Sequence, residues 1–473
     1  MAKALVECGH DVTILIPPKG YSEYKTSRYE VDGVKFKRVL GHWLGRISGP
    51  SLSAIFLAEN ALAERPDVIH VFRPAGRSGV AGIFLKKFTN IPVIVDVDEW
   101  EGSGGLADLA WFIWRPFHDY QERRLVAMAD AVTVSTQNLQ KRMIDQLGAR
   151  RDGVYYVPEG PLVSPDEVEK AEDKLQPPAI TFLGYAPSVY HDLDILSETA
   201  SIMRRNGSNG HNGRFRVVGN GPGLDELNKC VTEKGLQDIF QIVNNDDPNA
   251  KYSAAEVLAS ASILVFPCRS NRIREMKAAA PVITYMSAGK PIVAGDVGPI
   301  PTYLEGGNAG ILVEVGEEDD VKALGQLYAD GVRKAMTAGA YNLGLRAREL
   351  VRSYIWTKER GMKTVQIYRH AAERLSKSSD SKYSNAFDAS RIAGFLVVAG
   401  VVALLLAIGL SSRPFVSAML VSVGVILILL REYWEWRIKG EFAVHPTFAI
   451  LLIALILLHL IADLLVAVLR LLS

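Results

Sequence analysis

The chain is poor in cysteine, carries no surplus of either charge, and opens without a leader pattern. Each shortage excludes something. Its three cysteines (Cys8, Cys230 and Cys268) are scattered over 473 residues and odd in number. They offer neither a disulfide framework nor metal-ligand spacing, which suits a reducing compartment. Lys and Arg total 53 against 52 Asp and Glu. A nucleic-acid binder normally shows a basic surplus, so no nucleic-acid partner is expected. Met1 runs straight into an amphipathic helical pattern rather than a basic and then apolar stretch, so no signal peptide is read.

What is abundant is apolar sequence, 48% of the chain, and its distribution changes along the length. Ile392–Leu410 is 19 residues without a charge, Phe415–Leu430 a second run of 16, and Thr447–Leu469 a third carrying Asp463. A helix needs roughly 20 apolar residues to cross a bilayer. The first and third runs are therefore expected to span. The second is short and is lengthened by Ser411–Pro414 or by the aromatic flank at Tyr433, Trp434 and Trp436; alternatively the first two form a re-entrant hairpin. Arg431, Arg437 and Lys439 follow the second run, whereas the loop Ser411–Pro414 carries only Arg413. That bias places residues 1–391 on the cytoplasmic side of a membrane. Asp463 is costly in lipid and is expected to face a helix neighbour or pair with Arg470.

Residues 1–160 alternate helix and strand. Asp11–Ile16, Val34–Val39, Val68–Phe72, Pro92–Val97 and Ala131–Ser135 read as strands; Leu52–Ala63, Gly79–Phe88 and Trp114–Met128 read as helices. Near-continuous Val/Ile strands separated by helices signal a parallel sheet covered on both faces. A linker follows at 161–178, and the alternation restarts over 179–345 with strands at Ala179–Leu183, Phe215–Val218, Ile263–Pro267, Pro291–Ala294 and Gly310–Val313. The expected fold class is α/β, two Rossmann-like domains with the ligand in the cleft between them, plus C-terminal transmembrane helices at 392–473. A closing helix is expected at 346–375 and a Ser/Lys-rich tether at 376–391. The first domain starts inside its first helix, so its central first strand is missing. Leaving the two neighbouring strands unpaired would cost on the order of 1–3 kcal/mol for each buried backbone group. The expectation is that Met1 is an internal start and the natural chain begins upstream; a gene remnant is the other reading.

Seven stations in order carry a resemblance. The most informative is Tyr285–Gly316 (YMSAGKPIVAGDVGPIPTYLEGGNAGILVEVG), with small-residue turns at strand–helix junctions that let a backbone approach phosphate closely. The others are Ala2–Pro17, Pro66–Phe72 (PDVIHVF), Ala129–Ser135 (ADAVTVS), Val157–Gly160 (VPEG), Phe215–Gly223 (FRVVGNGPG) and Arg346–Trp356. Together they resemble the retaining family 4 glycosyltransferases across most of residues 1–368. The resemblance implies a GT-B fold, a nucleotide-sugar donor in the second domain, an acceptor in the first, and no metal or cofactor. It implies that Gly184, Tyr185, Tyr190, Gly219, Asn220, Gly221, Glu275, Thr284, Gly289 and Lys290 hold the donor.

The departures from the family matter too. Thr284 occupies the position of the second of two family glutamates, and Glu275 lies one residue off the spacing of the first. A threonine hydroxyl holds a ligand more weakly than a carboxylate. The Arg and Lys that offset the diphosphate are replaced near Tyr185 and Tyr190; His191, Lys290, Arg269, Arg272 and Arg274 are the substitutes available. A family histidine of the acceptor domain is replaced by Asp98.

Asp96 and Asp98 lie at a strand's end and point the same way. A metal site, an acceptor contact and simple loop capping are the three readings of this segment. Asp98 and Glu101 are the candidates facing the acceptor. The expected function is transfer of a sugar from a nucleotide-sugar donor to a lipid-linked or membrane-proximal glycan acceptor, with retention, by a membrane-anchored enzyme. The alternative is a degenerate, non-catalytic membrane scaffold that kept the fold.

Overall fold

The structure is a computed structural model and describes residues 1–17, 27–39, 50–110, 112, 114–171, 175, 178–185, 192–206, 213–247, 252–316 and 320–379. Tyr190, His191, the three apolar runs at 392–410, 415–430 and 447–469, and residues 380–391 of the tether lie outside the described residues. Among the described residues, no helix is long and apolar enough to cross a membrane. Contacts divide the chain into two units, Met1–Phe84 with Ile91–Ser378, and Leu85–Asn90 with Ser379–Ser473. In the second unit, Thr89 Oγ1 donates to the Leu85 carbonyl at 2.7 Å, closing the helix Gly76–Phe88.

The first unit contains both sheet domains. In the first, β1 (Thr13–Ile16), β2 (Ser27–Val31) and β3 (Val34–Arg38) form a sheet of order β1-β3-β2. β1 and β3 are parallel, and β2 returns antiparallel with Val31 opposite Val34. The two-residue loop between them, Asp32-Gly33, has φ of 52° and 75°, the double positive φ of a tight hairpin turn. A second sheet contains β4 (Ile69–Phe72), β5 (Val93–Val97), β6 (Ala131–Val134) and β7 (Val154–Tyr156), all parallel and in that order. Every residue of β6 is buried, as a strand covered on both faces requires. The β1 and β4 edges are not joined, so the domain contains two sheets where the sequence pattern leads one to expect a single one.

The second domain is one six-stranded parallel sheet of order β10-β9-β8-β11-β12-β13: β8 (Ala179–Tyr185), β9 (Phe215–Asn220), β10 (Phe240–Asn244), β11 (Ala261–Phe266), β12 (Ile292–Gly295) and β13 (Ile311–Val313). The strand order reverses between β8 and β11, which in an open α/β sheet makes a crevice at the carboxyl ends. Pairing of β8 with β11 runs only to Thr181 opposite Leu264. Beyond that point Tyr285 Oη accepts from the Leu183 amide and donates to its carbonyl, both at 2.9 Å. A buried backbone group left unpaired is costly, so this tyrosine is what lets the strands part. Leu264, Val265, Ile292, Val293 and Tyr328 form the buried centre beneath.

The linker begins with a capping box, in which Ser164 and Glu167 close the helix Pro165–Lys170; residues 172–174 and 176–177 lie outside the described residues. At the far end, the helix Ala340–Val351 packs Ala347 and Val351 into the second-domain core. The chain bends through Arg352–Tyr354, and the helix Lys358–Ser379 returns to the first domain. There Ile367 and Ala371 pack with Ile94 and Ala131. The segment that crosses back therefore starts after Trp356, later than the Arg346–Trp356 pattern suggests.

Candidate functional site

The carboxyl ends of β8 and β9 bring together five of the residues read as donor-binding. Gly184 pairs with Gly219 and Tyr185 with Asn220. A Cβ on Gly219 would lie 1.9 Å from the Gly184 carbonyl oxygen, so this close approach requires glycine. Gly221 has φ of 109°, and the turn leads into the helix Gly223–Glu233. Beside it lies a groove of about 430 Å³ whose lining includes Gly221, Pro222, Asp225, Asn228, Asn244 and Asp246. Asn220 Nδ2 donates to Asp246 Oδ1 at 3.1 Å. Two carboxylates in this wall repel a phosphate and can accept from sugar hydroxyls. Tyr185 is 62% exposed.

Glu275 lies across the same crevice and staples the β12 loop. Its Oε2 accepts from the Gly298 amide at 3.1 Å, and its Oε1 from Ser270 Oγ at 3.3 Å. Thr284 is buried, and its Oγ1 accepts from the Leu162 amide at 3.1 Å, so it anchors the linker. Gly289 and Lys290 stand apart from the rest. They precede β12 and therefore lie at the amino end of the sheet, where Gly344 packs on the Lys290 carbonyl and Arg348 and Leu345 flank Gly289. The two small-residue turns around β12 look alike in sequence, but only the one after the strand faces the crevice. Of the substitute cations, Arg269 pairs with Asp194 at 2.7 Å and Arg274 pairs with Asp192. Arg272 is exposed and in no ion pair among the described residues.

Opposite, the carboxyl ends of β4 to β7 gather a charged cluster. Arg73, held at φ 69°, is in the left-handed region that a non-glycine residue rarely adopts. Its guanidinium hydrogen-bonds Glu101 and reaches Glu99 at 3.2 Å. Lys277 of the second domain pairs with Glu99. Thr136 Oγ1 donates to the Met276 carbonyl and Asn138 Nδ2 to the Glu275 carbonyl, each at 2.7 Å. Asp98 Oδ1 is buried with no hydrogen-bond partner. Burial, reinforced by the Glu99 charge, pushes the Asp98 carboxyl up. Burial also pushes up Glu101, against the pull of Arg73, and lifts Glu159 to about 7, with the Asp98 charge adding to it. Among the described residues, no group of three or more His, Cys, Asp or Glu is placed to hold a metal ion.

The cluster rests on a buried platform. Glu122, fully buried, accepts from the amides of Glu101 at 3.0 Å and Gly102 at 3.1 Å and pairs with Arg142 at 2.9 Å. The Arg142 guanidinium lies over the Trp100 ring at 4.1 Å. Cβ atoms at Gly104 and Gly105 would fall 2.4 and 2.2 Å from Trp100 atoms, so the loop closes round that ring only with glycine there. Asp96 turns inward. It accepts from Thr133, whose Oγ1 lies 3.3 Å from His70 Nε2, and His70 Nδ1 lies 2.8 Å from Tyr368 Oη. Burial raises Asp96 to about 6 and lowers His70 to about 4.

Residues 1–160 match the glycosyl transferase 4-like domain family, and residues 142–330 match the glycosyl transferases group 1 family. The chain carries two glycosyltransferase-like domains. Among relatives, a D-inositol 3-phosphate glycosyltransferase of Nocardia farcinica is 26% identical over 253 residues, covering 49% of this chain and 54% of that protein. One of the same description from Stackebrandtia nassauensis is 28% identical over 236 residues, covering 46% and 51%. The chain thus spans about half the length of the curated relatives it matches. Among solved structures, sucrose-phosphate synthase of Thermosynechococcus elongatus superposes with a TM-score of 0.60 at 18% identity, covering 78% of this chain and 90% of that one. That likeness shows a two-domain GT-B fold.

Three residues of the acidic end are absent from the sequence-based site: Arg73, Glu159 and Lys277. Glu159 had a visible signal, because it lies within the VPEG station at Val157–Gly160. Its raised carboxyl gives a prediction. Between pH about 4.5 and about 7 the folded chain keeps a proton that the unfolded chain releases, so stability falls as pH rises through that window. Glu159→Gln removes the titration. At pH about 8 it is expected to exceed the parent by on the order of 2 kcal/mol, with no difference near pH 4. Urea midpoints across pH measure this, and a pH-independent difference would refute it.

Proposed function

We propose that this chain transfers a sugar from a nucleotide-sugar donor to an acceptor hydroxyl, with retention at the anomeric carbon. The observation that carries the reading is the meeting of two parallel-sheet carboxyl ends, joined by Thr136, Asn138 and the Lys277–Glu99 pair. In this reading the donor's base and ribose take the groove beside Gly221, and its diphosphate lies along Gly219–Gly221 toward the crevice. The acceptor lies over Asp98 and Glu101. The acceptor oxygen forms its bond to the anomeric carbon on the face from which the diphosphate leaves, and a leaving phosphate oxygen takes the acceptor's proton. Asp98 accepts from a neighbouring hydroxyl of the acceptor and so orients the attacking one, while Glu101 and Arg73 fix the loop. No metal or cofactor is called on. The apolar runs at 392–410 and 447–469 support an anchored enzyme with its domains on the cytoplasmic side and a lipid-linked or membrane-proximal glycan acceptor.

A second reading, a non-catalytic scaffold of the same fold, is favoured by the carboxylates that already occupy Arg269 and Arg274. A thermal-shift panel of nucleoside diphosphates and nucleotide sugars on the full chain in detergent separates the two. The proposal expects a rise in Tm with one nucleotide, equal in parent and Lys290→Ala, because Lys290 lies at the other end of the sheet. A flat panel on folded protein favours the scaffold.

A further inference from the structure

A cluster of ion pairs stands where the strand order of the second domain reverses. Asp192 and Asp194 open the helix Leu193–Arg205, which follows β8. Arg269 follows β11, and Arg274 lies on the short helix Arg272–Met276 after it. Parallel strands put all four at the carboxyl ends of the sheet, where open α/β sheets take their ligands. The Arg269 guanidinium grips Asp194 with both arms, donating to Oδ1 at 2.9 Å and to Oδ2 at 2.7 Å. The Arg269 amide donates to Asp192 Oδ1 at 3.2 Å, and Arg274 pairs with Asp192. The loop after β12 closes on the same group, since a Cβ on Gly298 would lie 2.6 Å from the Arg274 carbonyl oxygen. Direct contacts, and not chain order alone, gather these side chains.

The two pairs differ in depth. The side chains of Asp192 and Arg274 are 7% and 17% exposed, those of Asp194 and Arg269 32% and 27%. The inner pair is enclosed and the outer pair is within reach of a ligand. A two-armed grip on a carboxylate is also the way arginine holds phosphate. The first turn of a 13-residue helix favours an anion, and here its own acid supplies one.

We propose that Asp194 is a built-in competitor of the donor: its carboxylate occupies the Arg269 fork, and the donor's diphosphate binds by displacing it, while Asp192 keeps Arg274. The inference rests on the donor-binding half of the reading above. It supplies the diphosphate with a cation in a domain whose β8 ends on Tyr185. It also turns the argument for a scaffold round. A permanent brace and a displaceable competitor predict opposite effects when Asp194 is removed. Without a brace, the loop that carries Arg269 loosens and anion binding stays level or weakens. Without a competitor, the fork is released, one repelling charge is gone, and binding tightens.

The test is isothermal titration of the full chain in detergent with inorganic pyrophosphate, and in parallel with UDP, GDP, ADP and dTDP. Asp194→Asn is expected to bind pyrophosphate and one of the nucleotides roughly 3- to 10-fold more tightly than the parent, the range for losing a partly exposed competitor and its charge. Asp194→Ser keeps a hydroxyl at the helix start and serves as the second variant. Arg269→Gln is expected to lose pyrophosphate binding. Tighter binding in the Asp194 variants, including binding seen only there, supports the exchange. Binding that is level or weaker in both folded Asp194 variants overturns it and leaves the donor reading standing if the parent binds a nucleotide. Parent-like binding in Arg269→Gln overturns it as well, because the diphosphate then sits elsewhere. No binding of any probe to any folded variant overturns the exchange and the donor reading together.

Discussion

Glu122→Ala is expected to destabilise the protein by about 3–5 kcal/mol, because it strips the partner from a buried arginine. The Arg142 side chain is 3% exposed and that of Glu122 fully buried. Deleting the carboxylate leaves the guanidinium charge unpaired and two backbone amides, of Glu101 and Gly102, without their acceptor. Replacing both members by apolar residues of similar volume typically costs far less than removing one. Glu122→Leu/Arg142→Met should therefore recover much of what Glu122→Ala loses. Urea unfolding of the parent, the single and the double variant measures it. Equal losses in single and double would show that packing and the two amides orphaned in both variants, and not the orphaned charge, dominate. The same substitution loosens the Trp100–Gly105 loop and should weaken acceptor handling more than donor binding.

Asp98→Asn is expected to reduce kcat/KM by roughly 10- to 100-fold and to leave nucleoside-diphosphate affinity unchanged. A hydrogen bond to a charged group contributes about 1.5–3 kcal/mol, and that range sets the fold-change. Asp98 Oδ1 is buried and unpartnered, and burial raises its carboxyl, so the amide should not destabilise the fold. A variant of full stability and full donor affinity with low turnover is the expected combination. Full activity would remove Asp98 from the acceptor's path.

The buried parallel strands were legible because burial on both faces leaves continuous apolar runs, as in Val93–Val97 and Ala131–Val134. β2 was not, because all five residues of Ser27–Val31 are exposed and its sequence is polar. The Asp32-Gly33 pair is a recognised hairpin turn and was the one available clue. β10, on the sheet edge, mixes exposed and buried residues and carries no clean period. The position of Asp98 and Glu101 at the carboxyl end of β5 was legible because they follow the β5 run directly. The place of Lys290 was legible and was missed: it precedes the strand read at Pro291–Ala294, so it lies at the amino end of the parallel sheet, away from the crevice at the carboxyl ends. Arg73 and Lys277 joined the cluster only through tertiary contact, and the strained φ of Arg73 leaves no trace in its neighbours' identities.

The most direct test of the central claim is a transfer assay. The full chain in nanodiscs would be incubated with the nucleotide sugar that raises its Tm and with a polyprenyl- or glycolipid-containing membrane extract. Products would be followed by mass spectrometry and the new anomeric centre by NMR. The account predicts release of the nucleoside diphosphate, a lipid-extractable product with the donor's anomeric configuration, and loss of both in Asp98→Asn. Donor binding with no transfer to any extract, identical in parent and Asp98→Asn, would contradict it and identify a nucleotide-binding scaffold.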